Sequence, residues 1–131
     1  MRSKGNMVQI EIAAANILAT AMADLLAGGR VRVRAADGTS LADCDFASPP
    51  FAAPQDGAIA AHPFKPARGL ADGRPAVFTA YDADGMAVLS GTAGHQDDDP
   101  PPEMKFKTRM IVEDADVLVE SFVFSVIRNT Q

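Results

Sequence analysis

A mainly β domain is predicted: about seven short strands in an antiparallel sandwich or jelly-roll-like barrel, led by one N-terminal helix. Three observations carry this. The hydrophobic period drops from about 3.6 to 2 just after Gly28-Gly29. Turn-forming Asp-Gly pairs and proline clusters then punctuate the chain at intervals of about 8 to 12 residues, the spacing of sandwiches and barrels. Strands never alternate with helices downstream, as a parallel sheet would require.

The helix is expected over 16–27. Ile17, Leu18, Ala21, Met22, Leu25 and Leu26 recur at three- and four-residue steps. Asn16 is a suitable N-cap, and Gly28-Gly29 offers the left-handed stop that helix ends favour. Residues 1–15 read as an arm, with the domain occupying 16–131.

Arg30, Arg32 and Arg34 alternate with Val31 and Val33, the pattern of a half-buried strand. Asp37-Gly38 marks a turn into a second strand at 41–46. A pairing in which residue numbers sum to 77 sets Val33 against Cys44 and Val31 against Phe46 on one face. The other face then carries Arg34–Asp43 and Arg32–Asp45, an ion-pair ladder. The competing reading of the arginine row is a binding stripe for a negatively charged partner.

Three prolines and Asp56-Gly57 make 48–57 a loop, and a short strand at 58–62 is stopped by Pro63 and Pro66. Residues 71–75 are a turn region. Strands at 76–81 and 86–92 flank Asp82-Ala83-Asp84-Gly85, a hairpin signal. The segment from His95 to Glu103, with three aspartates and three prolines, is expected as an exposed loop. Strands at 104–108 and 116–127 complete the chain.

At 131 residues the chain suits one domain with a single core. Its net charge of -5 argues against nucleic acid and anionic membrane as partners. No run approaches the roughly 18 apolar residues of a membrane span. Arg2 and Lys4 before an Ala-rich stretch resemble a signal peptide, but Glu11 and Asn16 interrupt the apolar region. Cys44 is the single cysteine, which excludes an internal disulfide and suits a reducing cytoplasm.

Catalytic patterns are not evident. His62 and His95 sit in no recognisable constellation, and the serines lack the glycines of a nucleophile elbow. Cys44 reads as a small core residue rather than a reactive thiol. His95, Asp97, Asp98 and Asp99 are the one group that suggests a hard cation, yet they lack EF-hand spacing and read as a solvated acidic loop. Without Trp, and with Tyr81 alone, a carbohydrate-stacking surface is weakly supported. The expectation is a non-enzyme with no cofactor and no metal.

The order of short motifs nevertheless resembles a known group. A helix ending in Gly28-Gly29 runs into Arg30-Val31-Arg32-Val33. Pro50-Phe51-Ala52-Ala53 leads to a turn glycine. Ala76-Val77-Phe78-Thr79-Ala80 precedes Asp82-Ala83-Asp84-Gly85 and Val88-Leu89-Ser90-Gly91, and Ile111-Val112 precedes a strand around Ser121-Phe122. Over residues 12–127 this is similar to a group of small structural proteins of tailed phages and prophages. The chain departs from the group where a Trp-Phe-Arg run is usual, reading Val77-Phe78-Thr79 instead.

The resemblance implies a virion structural protein made in the host cytoplasm. It would be a capsid decoration (cement) protein on the outer capsid surface, contacting the major capsid protein or other virion proteins. A tail or connector component and a small ligand-binding β module are the alternatives. A homotrimer would match threefold lattice positions. The arm and the loop 48–57 are the expected assembly contacts, with Met7, Ile10, Phe51 and Phe64 as candidate anchors.

Overall fold

The computed structural model describes residues 10–126. It contains one helix, α1 (Ile12–Leu26), and seven strands: β1 (Arg30–Arg34), β2 (Ser40–Asp45), β3 (Ala58–Ala60), β4 (Val77–Tyr81), β5 (Ala87–His95), β6 (Met104–Phe106) and β7 (Val119–Ser125). The strands form one sheet in the order β2-β1-β4-β5-β6-β7-β3. The sheet curls into a half-barrel rather than splitting into the two layers of a sandwich.

Nor is the sheet wholly antiparallel. β5 and β6 run parallel, with Ala93 opposite Met104 and His95 opposite Phe106. A parallel crossover usually takes a dozen or more residues. Here each paired segment is three residues, about 10 Å at 3.3 Å per residue, so the return path is short. The expected loop after His95 supplies that return, and its Pro102 is buried.

The helix starts four residues earlier than expected. Glu11, not Asn16, is its N-cap residue, without a side-chain cap bond. Asn16 instead accepts a hydrogen bond from the Gly57 amide at 2.7 Å, tying α1 to the turn before β3. The C-terminal stop is at the expected place: Gly28 is left-handed at φ 79°, and Gly29 donates to the Leu26 carbonyl. Gly29 also passes so close to the Tyr81 carbonyl that a Cβ there would collide with it.

The β1–β2 register sums to 75, not 77. Val31 lies opposite Cys44, Arg32 opposite Asp43 and Arg30 opposite Asp45. A shift of two residues leaves Asp43, Cys44 and Asp45 on their expected faces, while a bulge beside Arg34, which pairs with Ser40, lets Leu41 turn into the core. The turn sets the difference: Asp37 accepts from the Thr39 amide, and the Ala35 amide donates to the Thr39 carbonyl, so β2 begins at Ser40.

The open side of the half-barrel is bridged by residues 61–70. Their amides donate to both sides of the gap: Ala61 to Phe122, Lys65 to Asp45, Leu70 to Leu41 and Gly69 to Ala115. Pro63 and Pro66 have no N–H, so this segment makes intermittent bonds instead of a full ladder.

Beneath the bridge lies an aromatic cluster. The ring of Phe122 is 5.0 Å from Phe78 in an edge-on arrangement and within 6.1–6.3 Å of Phe46, Phe51 and Phe64. Val31, Val33, Cys44, Met104 and Phe106 complete the buried layer. Truncating Phe122 to Ala removes the shared contact of four rings. Such a substitution is expected to cost about 3–5 kcal/mol, measured as a lower urea midpoint with an unchanged denaturant slope.

Candidate functional site

The anchors expected from sequence divide sharply. Phe51 is only 6% exposed and belongs to the aromatic cluster, so it offers almost no surface for an intermolecular contact. Its loop is held down by the bridge between Phe51 and Ala61. Phe64 is half-buried, stacked at 5.2 Å on Phe46. Met7 lies outside the described residues. Ile10 does reach a surface feature, an apolar groove walled by α1 and the end of β7.

That groove follows from how α1 packs. The sequence pattern points Ile17, Leu18, Ala21, Met22, Leu25 and Leu26 inward. Of these the structure buries Leu26 and partly covers Met22, and it adds Ala15, Ala19 and, in part, Ala23 to the inner face. Alanines face the sheet because α1 lies against β3, whose own residues are Ala58, Ile59 and Ala60. The small side chains of Ala15 and Ala19 permit close approach to the strand. The larger residues are displaced outward: Ile17 is 69% exposed, and Leu18 and Leu25 are each 50% exposed.

Only Asp24 is charged in the whole helix. Asn16, Thr20 and Asp24 form a polar stripe at four-residue steps, beside which Ile17, Leu18 and Leu25 make an exposed apolar flank. At fifteen residues, about 22 Å, α1 is too short to cross a hydrocarbon layer of about 30 Å. Among the described residues no helix is long and apolar enough to do so. Leu18, Ala21, Met22 and Leu25 meet Phe124 and Val126 along the groove. The apolar face thus continues from helix to strand.

The outer face of the sheet is chemically opposite. Arg30, Arg32 and Arg34 stand in a row on β1, between β2 and β4. Arg32 makes a two-pronged bond to Asp43, Nε to Oδ1 at 2.7 Å and Nη2 to Oδ2 at 2.9 Å. These hydrogen bonds raise the Arg32 pKa and lower that of Asp43, whose partial desolvation opposes the shift.

The other two arginines do not extend an ion-pair ladder. Arg34 donates to neutral groups, the Tyr81 hydroxyl at 3.2 Å and the Thr79 hydroxyl at 3.4 Å. Arg30 lies over the Tyr81 ring at 5.7 Å. The Arg34 hydrogen bond, with the nearby positive charge of Arg34 and Arg32, holds the Tyr81 pKa below its ordinary value. A hairpin could suggest charge pairing, but β4 lies far away in sequence and brings Tyr81 and Thr79 to the same face.

A third feature is a cleft of about 430 Å³ beside the bridging segment. Phe64, Phe122, Val117 and Val119 supply apolar lining, while His62, Lys65, Lys107 and Glu120 supply polar groups.

The acidic segment is folded on itself. Asp98 accepts from the His95 amide at 2.9 Å and lies 3.4 Å from Arg109, while the Asp97 amide donates to His95 Nδ1. Among the described residues no three His, Cys, Asp or Glu side chains gather as a metal set. Cys44 is buried in the core, and burial pushes its thiol up to about 12.

The Arg32–Asp43 pair sets a pH dependence. The Asp43 pKa is lower in the folded chain, so its contribution to stability is present above the ordinary carboxylate value of 3.8 and is lost as pH falls through the folded value. Asp43→Asn is expected to flatten the acid limb of the stability profile below about pH 4, followed by thermal melts across pH 2–7.

Comparison with known proteins found no matching family model, no matching curated protein and no matching solved structure.

Proposed function

We propose that the chain is a non-catalytic virion structural protein, a capsid decoration protein that binds the outer capsid surface and neighbouring copies of itself as a homotrimer. The observation that carries the assembly role is the apolar outer face of α1, continued by Phe124 and Val126. The phage assignment rests on the order of short motifs in the sequence, from Gly28-Gly29 to Ser121-Phe122.

Three copies of α1 gathered about a threefold axis would cover Ile17, Leu18 and Leu25, where a soluble monomer leaves them in water. Leu18 and Leu25 are each 50% exposed and Ile17 is 69% exposed, so completing their burial is worth about 1–2 kcal/mol each. Several such residues from three chains make a contact of useful strength. A tail or connector protein would use the same face on a different lattice.

Light scattering after size exclusion tests this reading. The expected result is a mass of three chains. Leu18→Lys combined with Leu25→Lys should reduce it to one chain with little change in Tm, because both side chains are half exposed in the isolated fold. The native chain should also sediment with phage particles from cells that produce it. A monomeric native chain that stays in the supernatant overturns the proposal.

The cleft favours a second reading, a small ligand-binding β module. Its volume falls within the usual range for small-molecule pockets, about 300–1,000 Å³. The apolar lining and the two lysines suit a small apolar molecule bearing a carboxylate. Octanoate should then raise Tm by an amount that Lys107→Gln diminishes; no shift at millimolar concentration removes this reading.

A further inference from the structure

We propose that the outer face of β1 is a docking surface for an extended acidic segment of a partner protein, with carboxylates at positions i and i+4 meeting Arg30 and Arg34. This surface is distinct from the apolar helix face and does not depend on the trimer.

Charge comes first. Asp43 and Asp45 on β2 are the carboxylates paired across from the arginine row, while β4 presents Val77, Thr79 and Tyr81. One strand further, Ser90 and Thr92 lie opposite Thr79 and Val77. Across β1 and β2, three guanidinium groups and two carboxylates leave one net positive charge, in a chain whose net charge is -5, and Glu103 lies at the far rim bonded to Thr92.

That charge is unevenly used. Arg32 is neutralised by its two bonds to Asp43. Arg34 is held only by hydroxyls, and Arg30 by the Tyr81 ring. Neither has a carboxylate within 4.0 Å among the described residues. A guanidinium has five N–H donors, so Arg34 keeps donors beyond the two it uses on Thr79 and Tyr81. The Tyr81 oxygen accepts from Arg34, which leaves its own proton to donate. Unused guanidinium donors therefore remain at both ends of the row, and an acceptor-only partner is the complement.

Spacing selects the form of that partner. Arg30 and Arg34 are four residues apart on one strand, so their backbone positions are about 13 Å apart, and both guanidinium groups lean toward Tyr81 between them. Carboxylates at i and i+4 of an extended chain have the same separation. The intervening i+2 side chain would lie over the closed Arg32–Asp43 pair, where a neutral polar residue fits and a charge does not. Face-to-face strands pack about 10 Å apart, a gap that an arginine and an acidic side chain fill together. The face is an open sheet surface rather than an enclosed pocket, which suits a chain better than a free ion.

The probe is a fluorescein-labelled peptide with two glutamates at i and i+4 separated by three threonines. Anisotropy is recorded with the full-length chain at about 10 mM ionic strength, where charges act over about 30 Å. Saturable binding is expected, weakening at about 150 mM salt as the Debye length falls to about 8 Å. Arg30→Gln and Arg34→Gln should each weaken binding about threefold to fivefold, the scale of an exposed ion pair. Arg30 is exposed, so its variant remains informative if Arg34→Gln fails to fold.

Asp45→Asn should act in the opposite direction and tighten binding by a similar factor, because it removes the carboxylate paired across from Arg30. Absence of saturable binding overturns the proposal, as does binding that neither arginine variant weakens. Equal binding of a peptide with adjacent glutamates overturns the spacing. Competition by inorganic phosphate at equal charge concentration reassigns the surface to small anions and overturns the peptide partner.

Discussion

A sheet that curls without closing must solve one problem, the seam between its first and last strands, and this chain solves it with the Phe122 cluster. Phe122 comes from β7, near one end of the sheet order, while Phe46 follows β2 at the other. Phe51 and Phe64 come from the segments that cross between them. Rings meeting at 5–6 Å hold the two sides together where strand-to-strand hydrogen bonding is interrupted. The intermittent backbone bonds of residues 61–70 then satisfy amides and carbonyls along the gap. Prolines in that stretch are compatible with bridging because the bridge never needs every N–H.

Much of this was legible in the sequence, and the failures have separate causes. Alternation along Arg30–Arg34 identified both the strand and its two faces, since one face must be apolar. It could not set the slip, because a shift of two residues preserves the same alternation; the Asp37–Thr39 turn decided that. The parallel β5–β6 pair was hidden because a proline-rich run normally signals an irregular excursion. A three-residue pairing needs only a short return, and no local pattern announces it. The Asn16 side chain suits an N-cap, but its amide oxygen serves the distant Gly57 amide.

The candidate surfaces were legible to different degrees. The arginine row was visible as charge on one strand face, whereas its use of Tyr81 depended on β1 pairing with β4, a long-range choice. The expected core face of the helix holds for Leu26 and in part for Met22, whereas Ile17, Leu18 and Leu25 are exposed. Hydrophobic periodicity ranks Leu and Ile above Ala, yet the close approach of α1 to β3 favours Ala15 and Ala19 inward beside Leu26. Phe51 was misplaced for the reverse reason: a phenylalanine among prolines looks like a loop anchor, but the loop folds over the core.

The same packing choice gives the molecule its division of surfaces. If α1 had turned Leu18 and Leu25 inward along with Leu26, it would have stood further from β3, and the alanines outside would have left an unremarkable surface. By burying alanines it sits close and presents Ile17, Leu18 and Leu25 to whatever lies beyond. Across the sheet, β1 has no such freedom: Val31 and Val33 must face the core, which forces all three arginines outward together. An apolar contact holds copies or lattice neighbours by area, while a charged row selects among approaching partners by sign and spacing. Neither surface requires catalytic groups, and both are consequences of which residues the core could accept.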